Sequence, residues 1–590
     1  MRRIPAALPL NGRFVAGDVR RRTFKEGIGF RLVTSAATRV RSSKHGKWVR
    51  GFLPLLAAFN LHLAPAQPAF TREHTNAAPP RALNGPAGSI SVHDGHFVDA
   101  QGRQVLLHGL CVINKSKAEN YQSWHGPADF AAMRDWGMNC IRLGILWDGL
   151  EPQPGLYDEG YLQAVDRRIA WAKAVGIHVF LDMHQDLYSY KYSDGAPEWA
   201  TLTDDQPHVT GGAVWSDAYV SSPAIQRAFD NFWANNPCAD GVGVQEHFAR
   251  AWQHVARRYA HETTVIGFDL FNEPNIGSGN RAAQVAMVTA LASALPKVPG
   301  QPAQTAEDIA RLWMDRDGRS QLMQVLTNLA IYRQVVDAAG PVYMEFERTQ
   351  LMPMFQRVRD AIRAVNTNQL IFLETSMSAN MGIPSGVERI RNQAGSPDPL
   401  QAYAPHGYDI VVDTPDLANA SHDRVEFIFQ RHAEKARQLG LPLLIGEWGA
   451  FGNAGAGILP TARHTAAVFE RRLCSDTYWD YSRNLQREAY FTTLQRPIPQ
   501  AIAGTLLSYR GDPETRTFTC VWREDGQSRA PSVIYLPQWI YGGKASLRVE
   551  PPGAGFSIER TTPDSKNHRV TVFPIGNGTE RKLSVQPATR

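Results

Sequence analysis

Cysteine is scarce: Cys111, Cys140, Cys238, Cys474 and Cys520 are the five in the chain, odd in number and widely spaced. That pattern excludes a disulfide framework and any zinc-type ligand spacing, and leaves the thiols as small buried hydrophobes. A Cys111 to Cys140 pair stays open because both fall on neighbouring predicted strands. Also missing are a helix-turn-helix turn and a basic aromatic stripe, so nucleic acid is not an expected partner. The apolar run from Gly51 to Ala64 is too short to span a bilayer as a helix.

A surplus of one charge sign is lacking too, although the formal charge of +6 suggests otherwise. Residues 1–50 hold 13 Lys/Arg against 2 Asp/Glu, a net of +11, so the remainder carries +6 − 11 = −5. The folded part is mildly acidic. Apolar content of 43% and charged content of 20% exclude wholesale disorder and fibrous repeats. A chain of 590 residues exceeds one compact core, so two domains plus unstructured sequence is the natural expectation.

At the amino end, Lys44, Lys47 and Arg50 precede the apolar run, and Ala64-Pro65-Ala66 follows it. Basic, apolar and small-x-small regions in that order are the layout of a secretory signal, which predicts export to a secreted or periplasmic location. Such signals begin near a terminus, so about 40 residues before this one point to a natural start further along, near Val33 or Val40. The expected organisation is a basic extension and signal over 1–66, a polar, Pro-rich linker over 67–88, a catalytic domain over 89–496 and a terminal domain over 497–590.

From Ser89 a small hairpin with Asp-Gly and Gln-Gly turns leads into alternating strands and helices. Strands are predicted at Val105 to Val112, Asn139 to Ile145, Ile177 to Met183, Val265 to Phe271, Leu370 to Glu374, Gln401 to His406, Leu441 to Trp448 and Asp476 to Tyr481. Helices are predicted over Phe130 to Trp136 and Tyr161 to Val175. Continuous apolar strands between amphipathic helices indicate a covered parallel sheet, and eight of them a closed (β/α)8 barrel. Two connections, His184 to about Gln245 and Asn275 to about Tyr343, exceed ordinary barrel loops and read as lids or binding elements. Past Pro497 the helical period stops; strands at Thr515 to Trp522, Ser532 to Leu536, Ala545 to Val549 and Arg569 to Phe573 predict a small antiparallel β-sandwich that buttresses the barrel.

The sharpest chemical signal is Gly267-Phe268-Asp269-Leu270-Phe271-Asn272-Glu273-Pro274, an apolar strand ended by Asn-Glu and stopped by Pro. Three strands later Leu443-Leu444-Ile445-Gly446-Glu447-Trp448-Gly449 ends the same way. Carboxy-terminal strand ends face the active site of such a barrel, so Glu273 and Glu447 would oppose each other across a sugar. Glycoside hydrolysis needs that pair, one carboxyl to protonate the departing oxygen and one to attack.

With these residues, Arg142 after the second strand and His406-x-Tyr408 after the sixth, the sequence resembles the cellulase-like glycoside hydrolase family 5 over about residues 89 to 495. The resemblance implies a retaining mechanism with Glu273 as acid/base, Asn272 on the sugar 2-hydroxyl and Glu447 as nucleophile. It further implies that Arg142 and Tyr408 hold Glu447, that His184 and Asp186 bind the glycone, and that Trp479 forms a stacking floor. A guanidinium and a phenol beside Glu447 would favour its ionised form. Within the family, Asp182-Met183-His184-Gln185-Asp186, Pro405-His406-Gly407-Tyr408-Asp409 and Pro499-Gln500-Ala501-Ile502-Ala503-Gly504 are similar to endoglycoceramidase-type glycolipid glycosidases, which makes Lys117 a glycan contact. Cys111 departs from that pattern, where an Asn is expected.

A glycolipid or other glycan is therefore the expected partner, with no metal, organic cofactor or protein partner implied; a different family 5 activity, on a β-glucan or a steryl or small glucoside, is the alternative. Tyr188, Tyr190, Tyr192, Trp199, Trp215, Tyr219, Phe229, Phe232 and Trp233 in the first long connection, and Ile309-Ala310-Arg311-Leu312-Trp313-Met314 in the second, suit transient contact with a membrane or micelle surface, or plain packing onto the barrel.

Overall fold

The computed structural model describes residues 89–588 apart from 123, 453, 541–544, 554 and 577. The predicted signal and linker lie outside the described residues. Eight parallel strands form the central sheet: β1 (His108–Val112), β2 (Cys140–Leu146), β3 (His178–His184), β4 (Val265–Asp269), β5 (Leu370–Leu373), β6 (Gln401–Tyr403), β7 (Leu444–Ile445) and β8 (Ser475–Tyr478). Each pairs with its sequence neighbour, β8 returns to β1, and the parallel bridges Tyr403 to Leu443 and Gly407 to Trp448 close the ring between β6 and β7. The fold is a (β/α)8 barrel.

Local chemistry explains the helices that cover it. Glu159–Val175 starts where the Asp158 carboxylate accepts the Tyr161 N–H and stops at Gly176, whose φ of 70° is open to glycine. His422–Leu439 repeats the device with Ser421 and Gly440. The β3–β4 and β4–β5 connections fold into helices of their own, including Pro223–Trp233, Asn280–Ala294, Ala306–Met314 and Leu329–Phe346. Among the described residues, no helix is long and apolar enough to cross a membrane.

The hairpin Ile90–His93/His96–Asp99 turns on Asp94 and Gly95, at φ 46° and 73°, the positive pair that a two-residue hairpin turn demands. Ile90 and Phe97 then plug the amino-terminal end of the barrel against Cys140, Phe180, Ile266, Leu370 and Phe372. The predicted strand Val105 to Val112 is split. Gln104–Val105 pairs with Ile498–Ile502 in a seven-stranded antiparallel sheet, and only His108–Val112 enters the barrel.

That sheet faces a second one of four strands, Thr505–Asp512, Thr517–Arg523, Glu580–Pro587 and Ala545–Glu550. Phe518, Cys520 and Trp522 alternate inward and meet Leu583, Val585, Ile534 and Val570, making the sandwich core. All five cysteines are buried and free, so Cys111 and Cys140 do not pair.

Barrel and sandwich belong to one compact unit. Asp135, at the end of a barrel helix, accepts the Thr561 and Ser565 hydroxyls and Asn567 Nδ2 at 3.0 Å. Asp135→Ala leaves those sandwich donors without their acceptor, and unfolding is expected to become easier by about 1–3 kcal/mol. Denaturant titration checks it; an unchanged midpoint would show that water replaces the carboxylate without cost.

Candidate active site

Residues from four strands, β3, β4, β5 and β7, converge on Arg142, which is fully buried on β2. Its Nε donates to Asp269 Oδ2 at 2.8 Å, Nη1 to Glu447 Oε1 at 2.6 Å, and Nη2 to Asn272 Oδ1 at 2.9 Å and Glu374 Oε1 at 2.7 Å, with Asp182 Oδ1 2.9 Å from the same nitrogen. A cation so surrounded stays charged, because four carboxylates outweigh the cost of its burial.

Glu447 is clamped at both oxygens, since Tyr408 donates its hydroxyl to Oε2 at 2.9 Å while Arg142 holds Oε1. Burial lifts this carboxyl to about 7; His406 and Arg142 pull it down, and Glu273 and Glu374 add to the rise. Burial, followed by the Glu447 charge, pushes the Tyr408 phenol well above its usual range, so it is a donor throughout.

Glu273 follows β4 with φ 44°, a left-handed conformation rare for a glutamate. The surrounding bonds impose it: the Glu273 N–H donates to Glu374 Oε2 at 2.8 Å, and Gln185 Nε2 donates to the carbonyls of Asn272 at 2.8 Å and Glu273 at 3.2 Å. Asn380 Nδ2, 2.6 Å away, and His406 Nδ1, 3.0 Å away, both address Glu273 Oε1 rather than Oε2. Burial opposes a charged His406, yet Glu374, Glu447 and the bond to Glu273 raise it well above the ordinary histidine value. The imidazolium donates from Nδ1 to Glu273, and its Nε2 lies 3.2 Å from Glu374 Oε1 as an ion pair. One oxygen of Glu273 and one of Glu447 lie within 4.8 Å of each other.

Beside this pair, the His184 and Trp479 rings stack nearly parallel at 5.3 Å, and Lys115 Nζ sits 4.5 Å over the indole while pairing with Asp186. His184 Nδ1 bonds Asp182 Oδ2 at 2.8 Å, and burial followed by Lys115 drives its basicity far down, so the ring is neutral. Cys111 donates its thiol to the Gly446 carbonyl at 3.4 Å, and burial, then Glu447, hold it protonated.

Of the residues predicted for the site, Glu273, Glu447, Arg142, Asn272, His406 and Tyr408 share one hydrogen-bonded network, with His184, Asp186 and Trp479 adjoining. Lys117 stands apart: 52% of its side chain is exposed, it pairs with Asp148 at 2.8 Å, and it lies 3.3 Å over the Tyr190 ring. The lysine that reaches Asp186 is Lys115, which sequence reasoning missed along with Glu374, Asn380, Asp182 and Asp269. Glu374 carries the signal used for the other two glutamates, an apolar strand followed by Glu.

Three sets of side chains bring possible metal-ligand atoms within 4.8 Å: His184/Asp186/Asp194, Asp269/Glu374/His406 and Glu273/His406/Glu447. Each already contains or touches a protein cation, Lys115 in the first and Arg142 with His406 in the others, so the charge a metal would balance is met by side chains.

Two glutamates converging at the mouth of a parallel barrel, each held by its own donors, define the class: a glycoside hydrolase. The family model for cellulase (glycosyl hydrolase family 5) matches residues 98–485, and that for the glycoside hydrolase family 5 C-terminal domain matches residues 496–584. The chain belongs to glycoside hydrolase family 5.

Similar proteins include an endoglycoceramidase of Cyanea nozakii, 30% identical over 32% of this chain and 42% of its own length. Endoglycoceramidase I of Rhodococcus hoagii is 32% identical over 33% of this chain and 38% of its own. The match thus spans less than half of those relatives. Among solved structures, endo-glycoceramidase II from Rhodococcus sp. in complex with ganglioside GM3 superposes with a TM-score of 0.64 at 25% identity, covering 84% of this chain and all of that one.

Proposed function

We propose that the chain hydrolyses the β-glycosidic bond between a glycan and a lipid such as ceramide, by double displacement with retention. Glu447 attacks the anomeric carbon while Glu273 gives its proton to the departing lipid oxygen. The glycosyl ester on Glu447 is then opened by a water whose proton returns to Glu273. The observation that carries the mechanism is the spacing of the two carboxylates. A pair of oxygens within 4.8 Å is closer to the roughly 5–5.5 Å between carboxyl groups of retaining pairs than to the roughly 6.5–9.5 Å of inverting ones.

Within this reading Lys115, His184, Asp186 and Trp479 bind the glycone, Asn272 takes the 2-hydroxyl, and the protonated His406 with Asn380 orients Glu273. The lipid aglycone is supported by likeness to endoglycoceramidases, one of them solved with a ganglioside. Glucosylceramide, a longer ganglioside, a steryl glucoside and a soluble β-glucan, incubated separately and resolved by thin-layer chromatography, test it. Release of intact oligosaccharide from the ganglioside is expected. Cleavage of the glucan or steryl glucoside alone would replace the proposal with the other family 5 activity.

Export is part of the same proposal, because a basic stretch, an apolar run and Ala64-Pro65-Ala66 follow one another at the amino end in the order of a secretory signal. Amino-terminal sequencing of the native protein should find a start near Gln67; retention of residues 1–50 in a cytoplasmic form would refute export.

A further inference from the structure

The aromatic segment after β3 does not form one lipid-facing surface. Tyr188, Tyr219, Phe229, Phe232 and Trp233 are buried in the core, whereas Trp215 is 43% exposed. Its position is nonetheless fixed. Trp215 Nε1 donates to Asp413 Oδ2 at 2.8 Å, joining the β3 connection to the loop after β6. Strands β4 and β5 stand between β3 and β6 in the ring, so this bond spans the rim where Glu273 and Asn380 emerge.

The strap is anchored on both sides. Asp217, two residues on, is held by Arg319 at 2.7 and 2.8 Å and caps the N–H groups of Ala213 and Val214. Tyr219 touches the Trp215 ring at 6.2 Å and accepts the Leu187 N–H, next to Asp186. Ser320 ties the β4–β5 insertion to Asp416 at 2.9 Å, three residues past Asp413. Asp413 is exposed at the surface, yet its carboxyl feels the charges of Asp186, Lys115 and Glu273, which sets the strap beside the site rather than at the far end of the barrel.

We propose that Trp215, pinned by Asp413, is the aglycone-recognition residue, its free indole face receiving the start of a hydrocarbon chain just beyond the leaving oxygen. The inference rests on the glycolipid reading above and deepens it. Lys115, His184, Asp186 and Trp479 wall the sugar on one side of the scissile bond. Glu273 delivers its proton to the other side, so what overhangs Glu273 from there meets the aglycone. An indole whose N–H is already satisfied and whose ring is open suits the boundary between a polar linkage and a long apolar chain. Because Asp413 holds the indole, and Arg319 holds the turn that carries it through Asp217, before substrate arrives, little ordering cost is left for binding.

The test measures kcat and KM on a lipid-linked glycan in detergent micelles and on the fluoride of the same glycan, whose leaving group has no apolar surface. Trp215→Ala and Asp413→Ala should lose about tenfold or more in kcat/KM on the lipid-linked glycan, chiefly through KM, and stay near wild type on the fluoride. Asp413→Asn keeps an acceptor for the indole and a residue tolerant of the φ of 61° at this position, so it should behave as wild type. Trp215→Phe should fall between. Equal losses on both substrates in folded variants, or no loss on the lipid-linked glycan, overturn the role of Trp215. A wild-type enzyme that cleaves the fluoride but no lipid-linked glycan overturns the glycolipid reading and this inference with it.

Discussion

Glu447→Ala is expected to abolish turnover of every glycoside, whereas Glu273→Ala should fail selectively. Without the Glu447 carboxylate nothing bonds to the anomeric carbon, and no activation of the leaving group compensates. Glu273 contributes a proton, a contribution typically worth about 10² to 10⁴-fold, and only to leaving groups that need one. A lipid alkoxide needs it; a dinitrophenolate does not. Glu273→Ala should therefore still form the glycosyl-enzyme from a dinitrophenyl glycoside and stall at the second step, where Glu273 would have activated water. Added azide should restore turnover, because it attacks without a base. Steady-state and burst kinetics of both variants on both substrates, with and without azide, read this directly. A folded Glu273→Ala enzyme equally inert on the dinitrophenyl glycoside, or a Glu447→Ala enzyme that keeps substantial turnover, would reverse or dissolve the assignment.

The two glutamates were legible because their surroundings in the chain dictate their placement. A carboxylate inside an apolar strand needs a buried cation to meet it, so a glutamate just past such a strand, like Glu273 or Glu447, reads as standing at the exit, and the barrel turns every exit toward one mouth. Expected strand limits ran long at that end. Leu441 to Trp448 was expected where the ladder holds only Leu444–Ile445, since the residues that serve the site leave the pleat to aim their side chains. Asp182 and Asp269 lie inside β3 and β4 and read as breaks in apolar runs, although both face Arg142.

Loops were harder to read. Lys115 and Lys117 are chemically alike and two residues apart after β1, and only the folded loop decides which ammonium reaches Asp186 and which turns out to Asp148. The strand Glu580–Pro587 was hidden for a related reason. Its inward positions are Arg581, Leu583 and Val585, and an inward arginine, satisfied by Glu524 at 2.8 Å, masks the alternation that marks a strand. Aromatic content was the weakest guide, because burial and exposure use the same kinds of residue: Phe229 packs the core and Trp215 stands exposed at the surface.

Glu447→Gln is expected to be more stable than the wild type at pH 8, with the gain fading as the pH falls. The folded protein holds the Glu447 proton up to about 7, against an ordinary glutamate value of 4.5. Between those limits the native state carries a proton there that the unfolded chain has released. Native binding exceeds unfolded binding, so this group's contribution to stability declines as pH rises through the window and levels off above it. A neutral glutamine keeps an oxygen for Arg142 and escapes the decline. Each pKa unit corresponds to about 1.4 kcal/mol, so the gap should open by a few kcal/mol between pH 4.5 and 7. Catalysis runs the other way, because the nucleophile must be ionised: kcat/KM of the wild type should climb over the same range in which the site loses stability. A carboxylate that is useful at neutral pH is thus one the fold would rather keep protonated, and Arg142, Tyr408 and His406 are what make its ionisation attainable. Denaturant titrations of both proteins at pH 5, 6, 7 and 8, beside the pH dependence of kcat/KM, measure the two slopes. A stability gap that stays constant, or widens toward acid, would mean that Arg142 and His406 outweigh burial at Glu447, and the acid limb of the activity should then lie near the ordinary carboxyl range instead.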